Sequence, residues 1–163
     1  MMSEPAVRHC LRCGDALVSK SDGERERLLC VREGCGFVFY DNPTPVVAAI
    51  TTRGEDAILV RPHTFPEKWF GLVTGFLERG ETPEDGVRRE VLEELGLPAV
   101  LVSFLGVYPF FPMNQLIVAY HLTVDGEVKL GAELAAYKLV PLAKLRPWPF
   151  GTGDAVRDFL ARR

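Results

Sequence analysis

Between Gly75 and Leu97 the sequence reads GFLERGETPEDGVRREVLEELGL, and three of its carboxylates, Glu90, Glu93 and Glu94, stand at i, i+3 and i+4. On an α-helix that spacing sets them side by side. Like charges so placed destabilise a helix, so they require a compensating cation, and hard carboxylate oxygens favour Mg2+ or Mn2+. Such ions keep several waters and bridge to substrate phosphates, while a helix N-terminus with its glycine loop offers free N–H groups to an anion. Diphosphate chemistry fits both features. The alternative is an acidic, solvated helix face paired with Arg88 and Arg89.

A second constellation lies in the first quarter of the chain. Cys10-x2-Cys13 is followed after sixteen residues by Cys30-x4-Cys35, and these are the four cysteines of the sequence. Each pair is spaced to grip one face of a tetrahedral ion, and soft thiolates with no geometric demand from the metal point to Zn2+. Four thiolates fill the coordination sphere, so this zinc is expected to be structural. Unrelated thiols or a redox pair are the alternatives, and His9 is a neighbour able to compete as a ligand. From Met1 to Gly36 six basic residues (Arg8, Arg12, Lys20, Arg25, Arg27, Arg32) cancel six acidic ones (Glu4, Asp15, Asp22, Glu24, Glu26, Glu33). A nucleic-acid-binding ribbon would carry a basic stripe, so nucleic acid is not the expected partner.

The elements that must hold these groups can be read around them. Thr82 as N-cap, Pro83 at the first helical position, Asp85 three residues after the cap and Gly96 as the stop predict the helix that carries the glutamates. Val87, Val91, Leu92 and Leu95 form its apolar stripe, which packs on a sheet. Val46 to Thr51 and Asp56 to Arg61 read as a hairpin around Arg53-Gly54-Glu55, with further strands at Val100 to Tyr108, Leu116 to Val124 and Tyr137 to Pro141. A second helix runs from about Asp154 to Arg163. The linker DNPTP divides a cysteine module, residues 1–43, from a larger domain, residues 44–163. Leu28, Leu29, Phe37 and Phe39 give the small module little core, so metal must support it.

With 163 residues, 47% hydrophobic and 25% charged, the chain suits one α/β domain plus a small module. Its net charge of −3 gives no electrostatic case for a polyanionic surface as partner. Neither a signal peptide nor a run of about 18 apolar residues is present, so a cytoplasmic location and no membrane association are expected.

Gly75, Glu81, Arg89, Glu90, Val91, Glu93, Glu94, Gly96 and Leu97 resemble, position for position, the box of the Nudix hydrolases, Gly-x5-Glu-x7-Arg-Glu-U-x-Glu-Glu-x-Gly-U with U apolar. The resemblance implies a Nudix α/β/α sandwich that hydrolyses a nucleoside diphosphate linked to another moiety. It implies that Glu90 and Glu94 are metal ligands, that Glu93 is a ligand or the base that takes a proton from water, and that Gly75 offers a backbone carbonyl. Arg89 would pair with Glu81 to hold the loop against the helix.

A four-cysteine ribbon directly before such a domain resembles the NADH pyrophosphatases and the zinc-ribbon FAD pyrophosphatases, over nearly the whole chain. Glu133 falls where the former place an additional metal-binding glutamate; the alternative is an exposed loop acid. Their downstream motif Ser-Gln-Pro-Trp-Pro-Phe-Pro-x-Ser is here Val-Tyr-Pro-Phe-Phe-Pro-Met-Asn-Gln, in which only Phe-Pro is kept. Tyr108, Phe110 and Phe111 are candidates to stack on a base or nicotinamide, with an aromatic core cluster as the alternative. Nine residues precede Cys10, which favours the shorter group, with NADH, FAD or ADP-ribose as the small-molecule nucleotide substrate and a homodimer as the oligomeric form. The other functions in view are a nucleoside triphosphate sanitiser, a remover of nucleotide caps from RNA, and a regulator that binds a nucleotide without cleaving it.

Overall fold

The computed structural model describes residues 7–21, 23 and 25–163. Residues 1–6 of the cysteine module, and Glu4, Asp22 and Glu24 of its charge balance, lie outside the described residues. The chain forms two compact units, one ending at Asn42 and the other running Pro43–Arg163. The expectation had placed this division one residue later.

The first unit is an antiparallel meander of β1 (Leu17–Ser21), β2 (Glu26–Cys30) and β3 (Val38–Phe39), in that order. Leu17 stands opposite Cys30, and Leu28 opposite Phe39. Among the described residues of this unit Cys10 alone is buried, and Leu28, Leu29, Phe37 and Phe39 are half-exposed. So little apolar burial cannot offset the chain entropy of ordering it, and the cysteines carry the burden of stability.

In the second unit β4 (Thr44–Arg53), β5 (Asp56–Pro62), β6 (Val73–Phe76), β7 (Ala99–Phe110), β8 (Gln115–Val124) and β9 (Leu134–Pro141) make one mixed sheet. Its order is β7-β8-β4-β5-β9, with β6 paired to β4; β4 and β8 are parallel and the other pairs antiparallel. The expected hairpin closes with Arg53 opposite Asp56, so its turn is Gly54-Glu55, with Gly54 at φ 58°. Val46 through Thr52 are all buried because β4 is central and covered on both faces. Alternation sorts its side chains: Val46, Ala48 and Ile50 pack with Ala155, Val156 and Phe159 of α2 (Gly153–Ala161). Val47 and Ala49 pack with Val87, Val91 and Leu95 of α1 (Pro83–Leu95). The result is an α/β/α sandwich.

Both ends of α1 follow the sequence signals. Thr82 accepts a hydrogen bond from the Asp85 backbone N–H (3.2 Å), and its hydroxyl donates to the Asp85 carboxylate (2.8 Å). Gly96 ends the helix at φ 67°, donating its N–H to Leu92 O. The apolar stripe differs in one member: Leu92 is 51% exposed. At 3.6 residues per turn it lies about 100° around from Val91, beyond the contact with the sheet. The same geometry grades the acids on the other flank. Glu94 is about 60°, Glu90 about 100° and Glu93 about 160° from the stripe centre. Exposure follows the same trend: Glu90 and Glu94 are both partly buried, the Glu90 side chain 13% exposed, whereas the Glu93 side chain is 58% exposed. Among the described residues, no helix is long and apolar enough to cross a membrane.

Candidate active site and metal centre

In the first unit the four cysteine sulfurs lie within 4.8 Å of one another. The Cys10–Cys35, Cys13–Cys35 and Cys13–Cys30 sulfurs are 3.8, 3.7 and 3.4 Å apart. Those are separations of ligands around one ion, since a tetrahedron of metal–sulfur bonds of about 2.3 Å has edges of about 3.8 Å, and they exclude disulfides of about 2.05 Å. The backbone N–H groups of Arg12 and Arg32 donate to Cys10 Sγ and Cys30 Sγ at 3.4 Å each, a stabilisation meant for thiolates. Burial opposes ionisation of Cys10, yet the Arg12 and Cys13 backbone N–H groups prevail and hold its pKa at about 7. Burial and then the other three sulfurs push Cys30 up to about 12, against the Arg32 N–H. All four ionise together at neutral pH only around a cation, so the set can hold a metal. His9 stays outside the group, exposed, with Nδ1 3.2 Å from Gly14 O.

In the second unit the end of β6, one face of α1 and the loop before β9 enclose a cleft of about 510 Å³ lined by Gly75, Glu78, Arg89, Glu90, Glu93, Glu94 and Glu133. β6 was not foreseen; it holds Gly75 opposite Val47, directly beneath α1. The Gly131 N–H donates to Glu94 O (2.9 Å) and the Lys129 N–H to Leu95 O (2.9 Å), which anchors the Glu133 loop on the free carbonyls at the helix end. Arg89 lies among the acids. Its guanidinium donates to Glu81 through Nε (3.1 Å) and Nη2 (2.7 Å), to Glu90 (2.7 Å) and Glu93 (3.1 Å) through Nη1, and to Phe76 O (3.1 Å). The Arg89 hydrogen bonds, with one from the Glu78 N–H, hold the Glu81 carboxyl below its ordinary range.

Of the three helix glutamates, Glu94 is the one that Arg89 does not reach. Its Oε2 is buried without a hydrogen-bond partner, and burial, followed by Glu90, Glu133 and Glu93, pushes its pKa up to about 8. Burial also raises Glu90 despite Arg89 beside it. A buried carboxylate oxygen with no donor and like charges around it is the environment a divalent cation completes. The residues present therefore fit such an ion.

Gly75 is required here by close approach. A Cβ at this position would fall on the Glu90 carboxylate. Gly75→Ala should displace Glu90 while sparing the β6 ladder, and a displacement of about 1 Å costs on the order of 10²-fold in rate. Steady-state kinetics with circular dichroism as the fold control checks this; a fully active Gly75→Ala enzyme overturns the placement of Glu90.

Thr74, Gly75 and Phe76 also form one wall of a second cavity, about 800 Å³, faced by the rings of Phe65, Trp69, Phe70, Phe110, Trp148 and Phe150. Trp69 and Phe150 stand 5.9 Å apart, centroid to centroid. Of the aromatics expected to contact substrate, Phe110 alone lines it. Tyr108 is buried, its hydroxyl donating to Asp158 of α2 (2.8 Å), and Phe111 is 83% exposed outside the cavity. In β7 successive side chains alternate faces, so Tyr108 and Phe110 share one face and Phe111 leaves the strand in a turn. Trp69, Trp148 and Phe150 were not foreseen; their one signal is large rings in proline-rich, non-periodic segments, and of the three Trp148 also packs against the core.

A NUDIX domain family model matches residues 42–160, and the chain belongs to the Nudix family. It is 33% identical over 132 residues to the human NAD-capped RNA hydrolase NUDT12, covering 76% of this chain and 28% of that one. To the NAD-capped RNA hydrolase NudC of Pseudomonas aeruginosa it is 29% identical over 123 residues, covering 75% of this chain and 44% of the other. The chain thus spans less than half the length of these relatives. Among solved structures, a NUDIX hydrolase from Nitrosomonas europaea shares the fold with a TM-score of 0.79 at 22% identity, over 96% of this chain and 92% of that one.

Proposed function

We propose that the chain is a Mg2+- or Mn2+-dependent Nudix pyrophosphatase that hydrolyses the diphosphate bond of a nucleoside diphosphate linked to another moiety, of the NADH, FAD or ADP-ribose class. The observation that carries this reading is the donorless, buried Glu94 oxygen in an acidic cleft that shares a wall with an aromatic pocket. Glu90, Glu93, Glu94 and Glu133, with the Gly75 carbonyl, would hold the cation. A Mg2+ or Mn2+ there would neutralise charge on the diphosphate and make water more acidic. Glu93 or Glu94 takes the water proton as the new P–O bond forms and the bridging P–O bond breaks, releasing two monophosphates. Arg89 and Glu81 hold the loop that presents Gly75 and Glu78. The aromatic rings, Phe110 among them, receive the base. The test is a panel of NADH, FAD, ADP-ribose, dinucleoside polyphosphates and nucleoside triphosphates with Mg2+ or Mn2+. AMP from the dinucleotides with little triphosphate cleavage supports the reading; triphosphate cleavage alone replaces it with a sanitiser, and binding without hydrolysis with a regulator.

A second reading, removal of a nucleotide cap from RNA by the same bond chemistry, is favoured by the activity for which NUDT12 and NudC are named. The even charge balance of the cysteine module speaks against it. The cysteine site is assigned to structural Zn2+ on its four-sulfur set, and reduced thiols accord with a cytoplasmic location. Purified protein should contain about one Zn2+ per chain. Cys13→Ser should lose metal and stability in the first unit before cleft chemistry suffers. Metal analysis and thiol titration decide; metal-free protein with four reactive thiols and unchanged stability refutes the assignment.

A further inference from the structure

The α1 side of the large sheet is covered only in part. The strands β7-β8-β4-β5-β9 span about 20 Å at their usual spacing, and the one helix on that face is about 10 Å in diameter. Tyr120 and Val118 of β8 belong to the apolar layer beneath α1, and their cross-strand neighbours in β7 are Phe104 and Val107. The Phe104 and Tyr120 rings stand 5.5 Å apart, and alternation along β8 puts Leu116 on the same face. Yet Phe104, Val107 and Leu116 are 51%, 49% and 38% exposed. The helix adds exposed Leu92 to them. Glu84 takes the Tyr120 hydroxyl, which fixes the flank of α1 turned toward β7 and β8, and Arg88 and Leu92 follow Glu84 at i+4 and i+8 along that flank. The strip is uncharged as well as apolar: neither the 12 residues of β7 nor the 10 of β8 include an Asp, Glu, Lys or Arg, in a chain where these make up 25%. An edge strand such as β7 ordinarily carries such charges to keep other chains away. Its backbone is protected by other means. The register with β8 shifts after Leu101 and again after Phe104, and Arg162 at the end of α2 donates to Phe104 O (3.1 Å) and Leu105 O (2.6 Å). Strand addition is thus blocked, while the face beside the edge is left open.

We propose that this face, centred on Phe104 and Val107 and bordered by Leu92 and Leu116, joins two copies of the chain face to face about a two-fold axis. A patch without charge suits its own copy, because the same surface supplies both partners and no like charges are brought together. Its border carries one charge of each sign, the Arg88–Asp85 pair of α1, so a two-fold contact can set Arg88 of one copy against Asp85 of the other. With no cluster of cations it offers nothing to nucleic acid or to an anionic membrane. The exposed parts of the four side chains amount to roughly 350 Å² on each copy, and with their border the pair buries on the order of 1,200 Å², the low end for a specific interface. A reversible dimer follows, not an obligate one. The homodimer expected from the resemblance had no surface assigned to it, and this assignment is independent of the hydrolase reading.

Sedimentation equilibrium of the full chain, from about 1 to about 100 μM, should show monomer and dimer in exchange with a micromolar Kd, little changed by about 0.5 M salt because the contact is apolar. Leu92→Lys and Val107→Lys, at positions already exposed, should each raise Kd at least about tenfold by burying a charge without a partner, while the monomer keeps its circular dichroism. Val100→Lys is the control. Val100 is exposed on the same strand but, next to Leu101 of the α1 layer, points to the opposite face, so its Kd should stay within about twofold of the parent. Should Val107→Lys fail to fold, Leu92→Lys on the helix surface decides alone. A chain that remains monomeric at the highest concentration, a dimer that survives both lysine substitutions, or one that Val100→Lys breaks equally each overturns the proposal. Flotation of a monomeric chain with phosphatidylcholine–phosphatidylserine vesicles, abolished by Leu92→Lys, gives the face to a membrane and overturns it as well.

Discussion

Replacing Glu94 by Gln should lower kcat at least about a hundredfold while the fold persists, because loss of a general base alone costs about 10²–10⁴ and loss of a charged ligand adds to it. The amide keeps the shape of the side chain and its packing beside Val91 and Leu95. Stability without divalent cations should move the other way. Glu94 has a folded pKa raised to about 8, so between the ordinary carboxylate range and pH 8 the folded state holds a proton that the unfolded state has released. Stability of the metal-free protein therefore falls as pH rises through that window and levels off above it. The Gln variant should lack this descent and melt higher at pH 8. A control must be an acid outside the cleft with no partner to lose. Glu84 is on the same helix but accepts the Tyr120 hydroxyl at 2.9 Å, so the exposed Glu127 is the better choice. Glu94→Gln turning over as fast as Glu127→Gln under saturating Mg2+ sinks the assignment of α1 as the cation-binding helix, and a melting curve with unchanged pH dependence sinks the account of its burial.

How far this site could be read from sequence depends on whether its parts are local. α1 was legible to the residue at both ends, because capping is a contact between neighbours: Thr82 with Asp85, and Gly96 in a conformation side chains avoid. The clustering of Glu90, Glu93 and Glu94 is likewise a matter of one helical turn. Their unequal burial was also implicit in the 100° step, but it needed the sheet's position to be known, and misplacing Leu92 in the stripe hid the fact that the buried face is narrow and turned toward Glu94. The hairpin of β4 and β5 showed itself through two apolar runs around a glycine, and its turn is one residue shorter than the sequence suggests because Arg53 pairs with Asp56.

What escaped the sequence reading is what distant segments build together. β6 is four residues long and reads as part of a glycine loop; only its pairing with β4 makes it a strand and brings Gly75 beneath Glu90. The aromatic pocket draws on the segments around Phe65 to Phe70, Phe110 and Trp148 to Phe150, separated by tens of residues and carrying no period. Tyr108 and Phe110 look equivalent in the sequence, and alternation along β7 gives them the same face. Asp158 on α2 decides the difference, capturing the Tyr108 hydroxyl in the core and leaving Phe110 to the pocket. In the first unit the cysteine spacing was decisive, whereas β1, β2 and β3 were silent because short, half-exposed strands bury too little to leave a pattern.

Arg89 should prove the costliest side chain of the cleft to remove. All five of its guanidinium N–H groups are engaged, two on Glu81, one each on Glu90 and Glu93, and one on Phe76 O. Arg89→Ala leaves Glu81 and Glu90, whose side chains are 17% and 13% exposed, without their cation, and frees the Phe76 carbonyl. Breaking a buried ion pair from one side costs about 3–5 kcal/mol, and since the Arg89 side chain is itself 29% exposed the lower end applies, about 3 kcal/mol. For a unit of this size that corresponds to a fall of roughly 10 °C in Tm. Arg89→Lys restores the charge but not the fork, with three donors on a single nitrogen, so it should recover only part of the loss. The pH dependence distinguishes this from simple loss of packing. Glu81, held below its ordinary range mainly by Arg89, contributes stability that is present above the unfolded carboxylate pKa and lost as pH falls through its lower folded value. That acid-side loss should be present in the parent protein and absent from Arg89→Ala, so the two melting temperatures should converge as pH drops. If Arg89→Ala and Arg89→Lys melt within a degree or two of the parent, or if the gap between Arg89→Ala and the parent stays constant down to low pH, the guanidinium does not hold the loop to the helix and the geometry of Gly75 must be fixed by the β6 ladder alone.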